Sequence, residues 1–339
     1  VYTLKTGKPP WLFMSKLLEL LPTSDIDLVM GPSQGEDAAV LRLKDGFLVI
    51  HSDPITTGVK RAGYLAVHVA ANDVAIRGVR PRWFLPVVLI PPSFAEQDVI
   101  ELFKDISKAL REVEGVVIGG HTEVTPSISR PFISMTSAGY TTGRVILTRD
   151  ARPGDLLYII GRVGGEGAGI IAWDFEDLLV ARGLDRLVVE EAKNYIYQIS
   201  VVNTALSIKD YVSSMHDATE GGVIQAIREV AVASSTRAIV NIDDVFVEET
   251  VRDISRAVSV DPLKLLSSGC IVASVPRPLS RDLESALQGL GVTYSRVGFL
   301  EPGSGEVVLT REGRIVEVVV EDVVDEIYKL WNYPTRLGA

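Results

Sequence analysis

Apolar and polar positions along this chain follow two periods, and the switches between them divide it into short elements. Residues 11–21 carry apolar side chains at helical spacing and predict a short amphipathic helix. Residues 38–43 and 47–52 read as strands, with Lys44-Asp45-Gly46 between them. Asp-Gly supplies the positive φ angles of a tight turn, so the pair predicts a hairpin. A nearly apolar helix follows at 62–77 and is stopped by Gly78 and Pro81. A strand at 83–90, a helix at 95–114 and strands at 116–119 and 131–142 complete this part.

The polar stretch Thr148-Arg149-Asp150-Ala151-Arg152-Pro153-Gly154-Asp155 predicts a boundary, giving domains 1–148 and 149–339. Beyond it, a strand at 156–160 is followed by helices near 185–207, 222–233 and 280–290 and strands at 238–242, 271–275 and 292–297. A hairpin over 307–320 turns at Glu312-Gly313. The predicted fold class is a two-domain α+β or α/β protein.

Composition narrows the function. Of the 339 residues, 47% are hydrophobic and 23% charged, enough for a sizeable core. A net charge of -10 argues against nucleic acid as a partner, because a polyanion needs a basic face. An acidic protein still holds phosphates when metal ions stand between them and its carboxylates. The single cysteine, Cys270, lies in an apolar run with no adjoining cation, so a buried inert thiol is expected. No apolar run approaches a membrane span and no signal-peptide order is visible, so the expected location is the cytoplasm.

Four acidic spots fall where the pattern predicts burial or a strand end. Gly35-Glu36-Asp37 precedes a strand, and Ser52-Asp53 ends one. Asn72-Asp73 sits inside the apolar helix, with His68 on the face of Asn72 one turn earlier. Gly119-Gly120-His121-Thr122-Glu123 follows an apolar strand. A carboxylate such as Asp73 in so apolar a helix needs a partner, either a structural hydrogen-bond network or a cation. Carboxylates repeated at strand edges favour the cation, since Mg2+ takes hard oxygen ligands and keeps substrate phosphates in its shell.

The second half adds His216-Asp217-Ala218-Thr219-Glu220-Gly221-Gly222 before a helix, where glycine amides can face an anion or simply belong to a capped helix start. The glycine-rich run 161–169 resembles a phosphate loop, but it lacks both the dinucleotide spacing and the lysine of a P-loop. Gly31-Pro32-Ser33-Gln34-Gly35 matches a serine-hydrolase pattern, yet the strand-before, helix-after context is wrong.

Taken in order, the segments Gly-Glu-Asp-Ala-Ala-Val, Ser-Asp-Pro-Ile-Thr, Asn-Asp-Val-Ala, Gly-Gly-His-Thr-Glu-Val, Ala-Arg-Pro-Gly-Asp, Asp-Ala-Thr-Glu-Gly-Gly and Ser-Ser-Gly-Cys span residues 35–270. They resemble the superfamily of aminoimidazole ribonucleotide (AIR) synthase, selenophosphate synthetase, thiamine-monophosphate kinase and the hydrogenase expression/formation protein, with wording nearest the last, HypE-type, branch. The resemblance implies a homodimer in which the N-terminal strands of two subunits form a barrel, with a C-terminal α/β domain covering an ATP cleft. It implies ATP and Mg2+ as cofactors and a small or protein-borne acceptor that is activated or phosphorylated.

By position it assigns the metal to Glu36, Asp37, Asp53, Asp73 and Glu123. It assigns the nucleotide to these first four acids with Asn72, Gly119, Gly120, His121, Thr122, Asp217, Glu220 and Gly221. His121 stands where the kinase and HypE-type branches often carry Asp and the selenophosphate branch His. The sequence ends Pro334-Thr335-Arg336-Leu337-Gly338-Ala339, without the terminal cysteine that the HypE-type branch modifies. The expected reading is therefore a separate acceptor, a thiamine-monophosphate-kinase-like reaction, or a nucleotide-binding paralogue without turnover.

Overall fold

Among the residues that the computed structural model describes, 9–56 and 59–332, the strands gather into two sheets of seven. The first contains β1 (Leu28–Met30), β2 (Ala39–Leu43), β3 (Gly46–Ile55), β4 (Trp83–Ile90), β5 (Val116–Val117), β6 (His121–Val124) and β7 (Phe132–Thr141). Its order is β1-β2-β3-β7-β4-β5, with β6 also pairing with β4. Only the pairings of β4 with β5 and β6 are parallel. Within one chain this sheet is open, so the barrel of the resemblance is not closed by these strands alone.

The second sheet contains β8 (Leu156–Ile160), β9 (Ser214–Ala218), β10 (Thr236–Asn241), β11 (Ser267–Val275), β12 (Tyr294–Pro302), β13 (Val307–Arg311) and β14 (Arg314–Val319). It runs β14-β13-β10-β12-β8-β11-β9. Only β10 and β13 are parallel, so the C-terminal part is α+β and not the α/β layer expected. β8 reads Leu-Leu-Tyr-Ile-Ile and is buried at every position, as a strand covered on both faces must be.

The helices are α1 (Trp11–Leu18), α2 (Ala62–Ala75), α3 (Glu96–Glu112), α4 (Gly165–Asp174), α5 (Glu176–Ala181), α6 (Arg186–Lys193), α7 (Val202–Ile208), α8 (Gly222–Ala233), α9 (Glu249–Val258) and α10 (Ser280–Leu290). Every residue of α2 is buried. A helix apolar on all sides belongs inside a protein, and α2 lies against β3, β7, α3 and α7. None of the described helices is long and apolar enough to cross a membrane.

Tertiary contacts account for the differences from the sequence reading. The continuous helix expected at 185–207 breaks into α6, a 3-10 segment at Asn194–Gln198, and α7. At the break the Asn72 side chain donates to Ile199 O (2.8 Å) and accepts from Val201 N (2.9 Å). This side chain from α2 replaces helical bonds that the local pattern would have made. β1, β6, β9, α5 and α9 are additions; β9, Ser-Met-His-Asp-Ala, has neither the alternation nor the β-branched content that marks a strand. The C-terminal segment 334–339, which carries the terminal-cysteine reading, lies outside the described residues.

Candidate functional site

The β2–β3 hairpin sets Asp37, just before β2, beside His51 on β3, and α2 brings Asp73 up from beneath the sheet. His51 Nδ1 donates to the backbone carbonyl of Asp37 at 2.7 Å, because a carbonyl can only accept. Its other nitrogen, Nε2, faces Asp53 Oδ1 at 3.7 Å and Asp73 Oδ2 at 3.6 Å. One ligand atom from each of His51, Asp53 and Asp73 lies within 4.8 Å of the others. Burial would lower the His51 pKa, but Asp73 and Asp53 outweigh it and raise it to about 10. The trio is a place where positive charge is strongly favoured.

A second group joins the two sheets. Asp37 Oδ2 lies 2.7 Å from His216 Nδ1 on β9, and His216 Nε2 lies 2.7 Å from Glu229 Oε2 on α8. Both ring nitrogens face carboxylates, so both donate and the buried ring is an imidazolium. Burial opposes that charge, yet Asp37 and Glu229 hold the His216 pKa well above its ordinary value. Asp37 also meets the fully buried Arg77 guanidinium. Burial pushes the Asp37 carboxyl up, and His216 and Arg77 override it and hold it well below the usual carboxylate range.

Glu36 pairs with Arg77 Nη1 at 3.1 Å and accepts from the amides of Thr148 (3.1 Å) and Arg149 (3.0 Å). Its oxygens therefore anchor the start of the linker between the sheets. Gly35 allows this packing: its φ is +75°, and a Cβ there would come within 2.5 Å of the Glu229 carbonyl oxygen.

Acids of the second domain approach the same region. Asp217 has a ligand atom within 4.8 Å of those of Asp37 and His216. Glu166, in the first turn of α4, is buried and accepts from Ser268 N at 3.0 Å. Burial, reinforced by Glu220 and Asp53, raises its pKa to about 7. Asp325 is also raised to about 7 by burial, with Glu220 and Glu166 adding to it. These couplings place Asp53, Glu166, Glu220 and Asp325 in one electrostatic neighbourhood.

The Gly221 amide donates to Asp325 Oδ2 at 2.8 Å, so the anion at the start of α8 is a carboxylate of the chain itself. The glycine-rich run 161–169 is likewise used internally: Gly164 N donates to Ser267 Oγ and Gly167 N to Leu266 O.

Two predicted groups lie elsewhere. Asn72 is buried and commits its amide to Ile199 O, Ser268 O and Val201 N, which makes it a clamp between the domains. Gly119, Gly120, His121, Thr122 and Glu123 run along exposed β6 and the residues just before it. His121 and Glu123 meet each other at 3.3 Å. Asp53 pairs with Met135 and Met135 with Pro86, whereas His121 pairs with Val87, the next residue. His121 and Glu123 thus face the side of the sheet opposite Asp53, about 14 Å away across three strand spacings. Gly120, at φ +140°, passes so near Pro86 that a Cβ would sit 2.3 Å from its carbonyl oxygen.

The sequence reading missed His51, Arg77, Glu166, His216, Glu229 and Asp325 as members of this site. His51 and His216 each stand within two residues of a selected aspartate, so adjacency was the available signal. Arg77, Glu229 and Asp325 gave none, because their roles come from packing between distant segments.

Two family models match this chain: the N-terminal domain of AIR synthase related proteins over residues 35–141 and the C-terminal domain over residues 152–310. A putative hydrogenase expression/formation protein of Methanocaldococcus jannaschii is 24% identical over 330 residues, covering 93% of this chain and 95% of that protein. The thiamine-monophosphate kinase of Pyrococcus horikoshii is 25% identical over 293 residues, covering 83% and 87%. Among solved structures, the hydrogenase maturation protein HypE in complex with ATP superposes with a TM-score of 0.65 at 23% identity, covering 84% of this chain and 89% of that one.

Proposed function

The chain belongs to the AIR synthase related protein family, and from that premise we propose that it binds ATP with Mg2+ through Asp37, Asp53, Asp73, Asp217 and Glu220 and activates or phosphorylates an acceptor. The observation that carries this reading is the convergence on His51 of Asp53 and Asp73, 20 residues apart in sequence, at 3.7 and 3.6 Å. Carboxylate oxygens are the hard donors Mg2+ takes, so the residues present suit the ion. A bound ion neutralises phosphate charge; the chain holds the phosphates in place and, from Glu166 and Asp325, disfavours further unscreened negative charge.

Similarity over nearly the whole length to the hydrogenase expression/formation protein favours a HypE-like activation of the acceptor. The thiamine-monophosphate kinase relative supports a second reading, simple phosphoryl transfer to a small phosphorylated acceptor. We further take 148/149 as the division between the domains. The working unit in this reading is a homodimer formed through the outer face of the first sheet, where Leu43, Val87 and Val116 are exposed.

The test is equilibrium binding of ATP with and without Mg2+, followed by turnover with candidate acceptors. Binding should require the divalent ion and weaken at least about tenfold in Asp53→Asn and Asp73→Asn. Metal-independent binding that ignores both substitutions rejects the proposal.

A further inference from the structure

From the His51 geometry we infer that His51 joins Asp53 and Asp73 as a nitrogen ligand of the metal site, so that a first-row transition ion such as Mn2+, Co2+ or Zn2+ binds there more tightly than the Mg2+ that the two carboxylates also hold. The inference rests on the reading above for the importance of the site, and its test uses nucleotide-free protein.

The ring of His51 is held in one orientation. The Nδ1–H is committed to the Asp37 carbonyl at 2.7 Å, which fixes the ring and turns Nε2 toward the two carboxylates. A backbone carbonyl on the far nitrogen is the usual outer partner of a metal-bound histidine, because it orients the ring and raises the basicity of the ligating nitrogen.

The carboxylates stand at ligand-to-ligand distance from Nε2. Separations of 3.6 and 3.7 Å are too long for N–H···O hydrogen bonds. Two ligands each about 2.1 Å from a shared ion lie about 3.0 Å apart at a right angle and about 3.4 Å apart at the tetrahedral angle, with a limit near 4.2 Å when opposite. The observed separations fall inside that range.

His216 provides a contrast within the same fold. His216 also sits among carboxylates, but both of its nitrogens approach them to 2.7 Å. That is a hydrogen-bonded cation with no lone pair to offer. At His51 only Nδ1 is committed to a hydrogen bond, and a bound ion would take the place of the proton on Nε2.

The chemical consequence follows from ligand type. An all-oxygen site suits Mg2+, while an imidazole nitrogen adds more to the affinity of a first-row transition ion, whose binding to mixed N/O donors strengthens from Mn2+ toward Zn2+. Asp73, nearly fully buried, and Asp53, half-buried, leave the open side of the site toward solvent for phosphate or water.

The experiment titrates the full chain, without nucleotide, with Mn2+ and follows it by electron paramagnetic resonance. Pulsed measurements then look for modulation by a directly bound imidazole nitrogen. The expected result is that modulation, with Mg2+ competing at higher concentration than Co2+ or Zn2+. His51→Asn should abolish the modulation and weaken Mn2+ binding about tenfold or more, with little change for Mg2+. An oxygen-only Mn2+ spectrum in the unmodified protein overturns the inference without needing any variant to fold. So does an unchanged Mn2+-to-Mg2+ preference in a folded His51→Asn protein, or no Mn2+ binding at all. Mg2+-dependent ATP binding, measured separately, shows in each case whether the broader reading survives.

Discussion

The Asp37 carboxylate and the His216 imidazole meet across the two sheets, with Oδ2 and Nδ1 2.7 Å apart. Asp37 precedes the first sheet's hairpin, and His216 lies on the edge strand of the second sheet. The pair therefore couples the orientation of the two domains to the charges that line the site. Removing one partner of a buried, hydrogen-bonded ion pair strands the other.

That arrangement gives the first prediction. His216→Ala leaves Asp37 and Glu229 without their shared cation and should cost about 3–5 kcal/mol of stability. Arg77→Met should cost a similar amount, since Glu36 and Asp37 both rest on its guanidinium. Denaturant unfolding measures both. A loss below about 1 kcal/mol in either variant contradicts the assignment of a buried ionic knot.

What the sequence made legible, and what it did not, follows the range of the forces involved. Helix 62–77, strand 83–90 and the hairpin turning at Glu312-Gly313 were readable because period, glycine and proline act within a few residues. Asp73 stood out because a carboxylate conflicts with so apolar a helix, and Asp53 because acids recur at strand ends in this part of the chain. Arg77 did not, because at the end of a helix an arginine usually reaches solvent; only the fold shows it buried against Glu36 and Asp37. The same limit applies to Asn72, whose partners lie 127 to 196 residues away.

Asn72 supplies the second prediction. Its amide makes three hydrogen bonds to the backbone of Ile199, Val201 and Ser268, all of them buried. Asn72→Ala leaves two carbonyls and one amide unsatisfied and should cost about 2–4 kcal/mol. Hydrogen exchange of the Val201 amide offers a local reading: it should accelerate more than amides in β8, to which Asn72 makes no hydrogen bond.

The third prediction concerns pH. His51, raised to about 10, and His216, raised well above its ordinary value of 6.5, keep protons in the folded protein that the unfolded chain releases above about pH 6.5. Their contribution to stability is complete below pH 6.5 and is lost as pH rises through the folded values. Glu166 and Asp325, raised to about 7, act in the same direction up to that pH. Metal-free protein should therefore lose stability from pH 6.5 to 10, by at most about 1.4 kcal/mol per pH unit for each histidine. Thermal unfolding in chelator should show the slope, reduced in His51→Asn. A flat or rising profile contradicts it.

The fourth prediction concerns the outer face of the first sheet. Register carries one face from β2 through β3, β7 and β4 to β5: Leu41 pairs with Leu48, Ile50 with Ala138, Ala138 with Trp83, and Trp83 with Val116. Leu43 and Val87 fall on the same face by alternation, and Leu43, Val87 and Val116 are 46%, 37% and 54% exposed. A broad apolar sheet face of this kind is stabilised by a matching surface, which in the proposed homodimer is the same face of a second copy. Val87→Glu puts a charge on that face without disturbing the core of the single chain. It should raise the dimer dissociation constant by on the order of a hundredfold, about 3 kcal/mol, and leave the fold intact. Light scattering across a dilution series provides the measurement. Since His121 pairs with Val87 in register and shares its face, Val87→Glu should also change the environment of the His121 ring, seen as a shift in its magnetic resonance signals that tracks dissociation. A dimer that persists with Val87→Glu, or a monomer in the unmodified protein at micromolar concentration, places the contact elsewhere or removes it.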